Sequence, residues 1–226
     1  REGSDPDAIL SRANESVEAG RIADAVTEIE TLPDDAKAAP AMAFAEIPGV
    51  GHAPMLDEAE ARAAGHEYEV VTWRDRTPDD LVDDRAVLEQ RMSTDAPHGD
   101  LPMEEERWDA DRIREHEAAA LARGRTVLSA GAVRDGRLVA FTDLHVRPDQ
   151  PGRAHQGATL VLREHRGHRL GARVKAAVLR DLAEAIPQTR RISTYNADSN
   201  TPMVAVNEAL GFVPAGRLST WSLRLS

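Results

Sequence analysis

The sequence predicts a mixed α/β layer with a mostly antiparallel central sheet and flanking helices, and three observations carry that prediction. From residue 66 onward, strand-like and helix-like patterns alternate in short blocks. Asp135-Gly136 stands between two apolar runs, the signal of a tight hairpin. An apolar strand, a glycine-bearing turn and an amphipathic helix then follow one another over residues 157–186.

Bulk properties agree with a globular chain. The 226 residues are 41% hydrophobic and 30% charged, enough for one well-buried domain and a smaller appendage. No run approaches the roughly 18 apolar residues of a membrane helix, and the acidic start lacks a secretory pattern, so a cytoplasmic protein with no membrane partner is expected. With no cysteine, disulfides, thiolate metal sites and a cysteine nucleophile are excluded. The net charge of -11 is unevenly spread: residues 151–226 hold 11 basic and 5 acidic groups. A local positive region on an acidic chain suits a bound anion better than a nucleic acid.

The elements read as follows. Residues 6–31 suggest two short helices, with Ile9, Leu10 and Ala13, then Ile22, Ala25, Val26 and Ile29, at helical spacing around Ala19-Gly20. Residues 36–54, rich in Ala, Pro and Gly, show no period and read as a linker. The expected division is an acidic helical appendage and linker over 1–64 and the main domain over 65–226. His66 to Arg74 alternates as a strand. Thr77 is the expected cap of a helix opening Leu81, Val82, Arg85, Leu88 and Met92; Asp109 is the expected cap of a second, ending at Gly124. Strands follow at 126–133 and 137–146 around the hairpin, then a strand at 157–162, a helix at 170–186, a strand at 191–195, a helix at 202–210 and a strand near 218–225.

Chemistry concentrates in Arg166-Gly167-His168-Arg169-Leu170-Gly171. The next helix has its ridge at Leu170, Val174, Val178, Leu182 and Ile186, four apart. At a helix start several N–H groups lack intrahelical partners and the macrodipole is positive, so a pyrophosphate can be bound by main chain. Gly167 and Gly171 allow close approach; Arg166, Arg169 and Arg173 add charge. The segment matches neither GxxxxGK[ST] nor GxGxxG. His165 and His168, three apart but without a carboxylate or thiolate, make no metal site, and no metal is expected.

Beyond the loop, Asn196 to Asn200 and Val204-Ala-Val-Asn207-Glu-Ala-Leu-Gly211-Phe212 complete a pattern that resembles the GNAT N-acetyltransferases over about 160 residues. The resemblance implies the GNAT fold, acetyl-CoA as acyl donor, and an acyltransferase acting on a primary amine of a small molecule or peptide; it admits a homodimer. It implies that Leu160 and Val161 meet pantetheine, that Gly167, His168, Arg169, Leu170, Gly171 and Ala172, with Arg166, hold the pyrophosphate, and that Asn200 lies beside the CoA arm. The amine then attacks the thioester directly, with no acyl-enzyme.

Three positions depart from the family. Arg169 replaces a frequent glycine. Asn207 stands where many members carry the tyrosine that protonates the departing thiolate, and an amide cannot serve as that acid. Tyr195 stands where some have a glutamate base; a phenol near pKa 10 is a poor base, so Tyr195 is expected to position the acceptor, with Asp143, Glu164 or His155 as alternative bases through water. A second reading is a catalytically inactive GNAT fold that binds CoA or a partner. Near the start, residues 6–40 resemble mitofilin-like helical repeats and Ile47 to Leu56 is similar to the histidine segment of α/β-hydrolases, but with no G-x-S-x-G a hydrolase site cannot be assembled.

Overall fold

The structure, a computed structural model, describes residues 67–95, 105–197 and 199–216, the backbone of Met42–Pro48 and of residues 217 and 218, and a few isolated positions before residue 32. Residues 42–98 with 102–218 form one compact unit, which holds every element named below. The expected N-terminal helices lie largely outside the described residues.

The unit is built on a seven-stranded sheet. Its strands are β1 (Met42–Pro48), β2 (Glu69–Arg74), β3 (Thr126–Arg134), β4 (Arg137–Val146), β5 (Arg153–Val161), β6 (Arg191–Ala197) and β7 (Val213–Leu218), in spatial order β2-β3-β4-β5-β6-β1-β7. All neighbouring pairs are antiparallel except β5 and β6, which run parallel. The mixed, mostly antiparallel sheet is as expected. Among the described residues of this unit, four helices flank it: α1 (Val82–Asp95), α2 (Ala110–Ala122), α3 (Leu170–Ala185) and α4 (Thr201–Ala209). No helix among the described residues is long and apolar enough to cross a membrane.

Local chemistry explains most boundaries. Asp135 and Gly136 both take positive φ, +52° and +75°, the pair a two-residue hairpin turn requires. The Asp109 side chain accepts from the Arg112 N–H at 2.8 Å, capping α2, and Gly124 closes that helix at φ +65°. Along α3, Leu170, Val174, Val178 and Leu182 are buried against β3, β4 and Ile192 of β6. Each such leucine contributes about 2 kcal/mol by leaving water.

Three expectations need correction. Thr77 does not cap α1: the helix begins at Val82 after a turn closed by Leu81 N–H to Pro78 O, and the Thr77 N–H instead donates to Glu117 of α2 at 2.7 Å. Met42–Pro48, read as linker, is a strand between β6 and β7, its backbone paired on both sides. A strand at Val213–Leu218 precedes the one expected near 218–225, most of which lies outside the described residues.

The sheet separates two packed layers. On one face α3 covers Leu128, Ala130, Ala140 and Leu144. On the other, Leu81 and Leu88 at the start and middle of α1 meet Leu138, Phe141 and Leu160.

Candidate active site

The glycine-bearing turn forms as its residue types dictate. After β5 a single 3-10 turn (Arg163–His165) leads to Arg166 in extended backbone, Gly167 at φ +86° and Arg169 at φ +55°, where α3 starts. Arg169 therefore adopts the left-handed conformation that glycine takes without strain. No side chain caps α3, so the N–H groups of Leu170, Gly171 and Ala172 have no intrahelical partner. A β-carbon on Gly171 would lie 3.9 Å from Val161 Cγ2, so the first turn of α3 sits close on the end of β5.

The turn is buttressed from below. The buried Tyr68 hydroxyl accepts from Arg134 at 3.1 Å and lies 3.1 Å from His165 Nδ1; its ring is 5.3 Å from that of His168. Arg173 donates to the Tyr68 carbonyl at 3.1 Å. Arg166 is tied back, its Nε donating to Val161 O at 3.1 Å and its Nη2 reaching Asp95 at 3.4 Å, while Arg163 pairs with the same carboxylate at 3.1 Å. Arg166 thus braces β5 against the end of α1.

Beside the turn the sheet opens. β5 and β6 pair only through Arg153–His155 with Arg191–Ser193, although β5 continues to Val161 and β6 to Ala197. The C-terminal halves diverge into a wedge. At its β5 edge, Gly157 and Ala158 stand opposite the single residue Asp143, a bulge that shifts the register between Thr142 and Leu144. Gln156 fixes it, donating to Thr142 Oγ1 at 2.8 Å and to Asp143 O at 2.6 Å; Thr142 and Thr159 share a 2.7 Å hydrogen bond.

On the sheet face opposite α3, a cavity of about 500 Å³ lies between α1, α2 and strands β2–β5. Trp73 and Trp108 contribute apolar wall, Glu89, His116 and His145 polar groups, and Ala158 of the bulge completes the lining. Its floor is the buried Arg85, whose Nη2 donates to Glu89 Oε1 and to Asp143 Oδ2, each at 2.6 Å, and whose guanidinium lies 3.8 Å from the Phe141 ring centroid. Ser129 donates to Asp143 at 2.7 Å.

A family model described as the acetyltransferase (GNAT) family matches residues 86–212, more than half of the chain. The chain belongs to the GNAT acetyltransferase family. Among solved structures, a tandem GNAT protein from the clavulanic acid biosynthesis pathway, without acetyl-CoA, is 33% identical with a TM-score of 0.62, over 79% of this chain and 51% of that one. The chain thus spans about half the length of that tandem protein. Aminoglycoside N-acetyltransferase AAC(6')-Iy in complex with CoA is 18% identical with a TM-score of 0.51, over 72% of this chain and 99% of that one. The same enzyme with the bisubstrate analogue CoA-S-monomethyl-acetylneamine is 18% identical with a TM-score of 0.50, over 70% and 99%. At such identity the likeness shows the fold alone. No functionally curated protein matches the chain in sequence.

Seen as a GNAT site, the residues singled out from sequence fall into three places. Leu160, Val161 and Arg166 to Ala172 are brought together where β5 meets α3. Tyr195 stands on β6 beyond the last parallel pair, 39% exposed, its ring 5.5 Å from that of His155. Asn200 and Asn207 sit on α4, where both have structural partners: Asn200 caps the helix, accepting from Met203 N–H at 3.4 Å, and the buried Asn207 accepts from Lys175 Nζ at 2.6 Å.

The electrostatics divide the same groups. Asp143 is held by Arg85 and Ser129, and Glu164 lies in the 3-10 turn after β5. Burial would lower the Arg85 pKa, but Asp143 and Glu89 outweigh it and raise it. Burial lowers the pKa of His145, and burial together with nearby His145 lowers that of His155, so both imidazoles favour the neutral form. Glu89 moves the other way: burial raises its pKa, and Asp143 adds to the rise against the pull of Arg85. Tyr68, Arg85 and Glu89 carried no sequence signal, because each acts through partners 50 or more residues away or through a cavity.

Proposed function

We propose that this GNAT domain transfers the acetyl group of acetyl-CoA to a primary amine of a small molecule or peptide by direct attack. One observation carries the reading: the β5–β6 wedge stands between an uncapped helix N-terminus bearing Gly167 and Gly171 and a cavity lined by carboxylates, histidines and tryptophans on the opposite face. The first three N–H groups of α3 suit the pyrophosphate, with Arg169 adding charge. The exposed edge of β5 from the bulge to Val161 suits pantetheine, with Arg166 leaving the Val161 carbonyl as the arm enters. The acceptor enters from the cavity, so amine and thioester meet at the bulge. A neighbour of the same fold has been solved with a bisubstrate analogue, CoA-S-monomethyl-acetylneamine, which is in keeping with a donor and an acceptor that meet in one site.

Thermal unfolding with and without acetyl-CoA tests the donor half, beside the double change Gly167→Glu and Gly171→Glu. A ligand-induced rise in Tm that the double change abolishes is expected. Thiol release from acetyl-CoA in the presence of amines tests the acceptor half. Acetyl-CoA binding without turnover on any amine would favour a CoA-binding module, consistent with Asn207 being held by Lys175 rather than free for catalysis.

A further inference from the structure

Glu89 lines the cavity with its side chain only 17% exposed. It lies one turn after Arg85 on α1, and Oε1 accepts from Arg85 at 2.6 Å. Oε2 has no hydrogen-bond partner among the described residues, and Glu89 lines the cavity together with Ala158 of the β5 bulge. Arg85 cannot fully neutralise it, because the same Nη2 serves Asp143 and the guanidinium is already shared. The charged groups around it are Arg85 on its own helix, Asp143 and His145 of β4, and His116 and Glu117 of α2; Arg123 lies at the end of α2, and Asp75 and Arg125 lie beside the ends of β2 and β3.

Resting on the reading of this cavity as the acceptor site, we propose that Glu89 removes the proton that the acceptor amine carries into the site, with Arg85 and Asp143 fixing the carboxylate's position. An aliphatic amine arrives as ammonium at neutral pH and has no lone pair to attack with. Glu89 Oε2 takes one proton, giving a free amine whose lone pair forms the C–N bond to the acetyl carbon. The C–S bond then breaks with its electron pair on sulfur. The second amine proton ends on the departing thiolate, and the first passes from Glu89 to solvent, so one proton is released per turnover. Burial raises the Glu89 pKa, which brings the carboxylate nearer to the operating pH of a base.

The test compares wild type with E89Q and E89D, using acetyl-CoA as donor and neamine, spermidine and a peptide with a free N-terminus as acceptor probes. Expected are an unchanged acetyl-CoA-induced rise in Tm, a kcat lowered about 100-fold or more in E89Q, loss of the acidic limb of its kcat/KM profile, and retention of that limb in E89D. An E89Q enzyme with kcat within about threefold of wild type and the same acidic limb overturns the assignment, since general-base loss costs far more. If wild type binds acetyl-CoA but acetylates none of the three amines, the proposed function fails. In a wild type that does acetylate an amine, the 13C carboxyl resonance that E89Q removes should titrate above the ordinary glutamate value of about 4.3, and titration at or below that value overturns the Glu89 assignment.

Discussion

Lys175 Nζ donates to Asn207 Oδ1 across 2.6 Å with both side chains buried, joining α3 to α4. Lys175 is 1% exposed, its ammonium lies 5.5 Å from the Phe212 ring centroid, and the Asn207 Nδ2 has no partner among the described residues. Gly171, one turn earlier on α3, faces the end of β5, so this pair lies on the side of α3 turned toward the wedge.

Burial pushes the Lys175 pKa down to about 7. An unfolded lysine titrates near about 10.4, so between these values the unfolded chain binds more protons and stability rises with pH. Lys175→Met removes that slope. The stability of wild type relative to Lys175→Met should therefore grow from about pH 7 to pH 10, by at most ~1.4 kcal/mol per pH unit. Urea unfolding at several pH values checks this; parallel curves would show that the amine is not held in a low-dielectric site.

Arg85→Met should destabilise by about 3–5 kcal/mol, because it strands the Asp143 carboxylate in the interior with Ser129 as its remaining side-chain donor. Adding Asp143→Asn should recover part of the loss. Additive losses in the double variant, read from chemical denaturation, would contradict a coupled pair.

A β-carbon at Gly157 would stand 2.7 Å from His145 Nε2 and 3.5 Å from Asp143 Cβ. Gly157→Ala must displace the imidazole or flatten the bulge, and should cost about 1–3 kcal/mol. Acetyl transfer should fall more than acetyl-CoA binding, since the bulge faces the acceptor cavity while the pyrophosphate turn is untouched. Calorimetric titration beside kcat separates the two.

Arg169→Gly relieves a left-handed φ worth about 1–2 kcal/mol, partly offset by about 0.5–1 kcal/mol of added chain entropy. Tm should stay level or rise by a few degrees while acetyl-CoA affinity falls with the lost guanidinium. A lower Tm would mean that the Arg169 side chain stabilises the turn by more than its backbone strain costs.

Where structure follows from neighbours in the chain, the sequence was readable. Asp135-Gly136, the Asp109 cap, the α3 ridge and the Arg166 to Ala172 turn depend on short-range geometry, and all form where expected. α1 contains the expected Val82, Arg85, Leu88 and Met92, and only its start differs: the Thr77 backbone is engaged by Glu117, 40 residues away, and a Pro78–Leu81 turn precedes the helix. Met42–Pro48 lacks alternation, and its strand geometry is imposed by β6 and β7 on either side. In the site, the turn was legible and the cavity was not: Glu89 and Arg85 acquire meaning only when Asp143, 58 residues from Arg85, is folded against them.

The two helices that wall the cavity are anchored unequally. α1 is bolted to β4 twice, by Asp84, which accepts from Arg137 Nε at 2.9 Å and from the Leu138 N–H at 2.9 Å, and by Arg85 on Asp143. α2 buries a single residue, Ile113, against Val82 and Ala86 of α1, and its Arg114 and Glu117 hold Thr77. Replacing its exposed cavity residues His116 and Ala119 therefore carries little risk to folding, whereas changes at Asp84, Arg85 or Leu88 of α1 reach the core. If the cavity receives the acceptor as proposed, changes of acceptor are expected to come through α2, with α1 held constant.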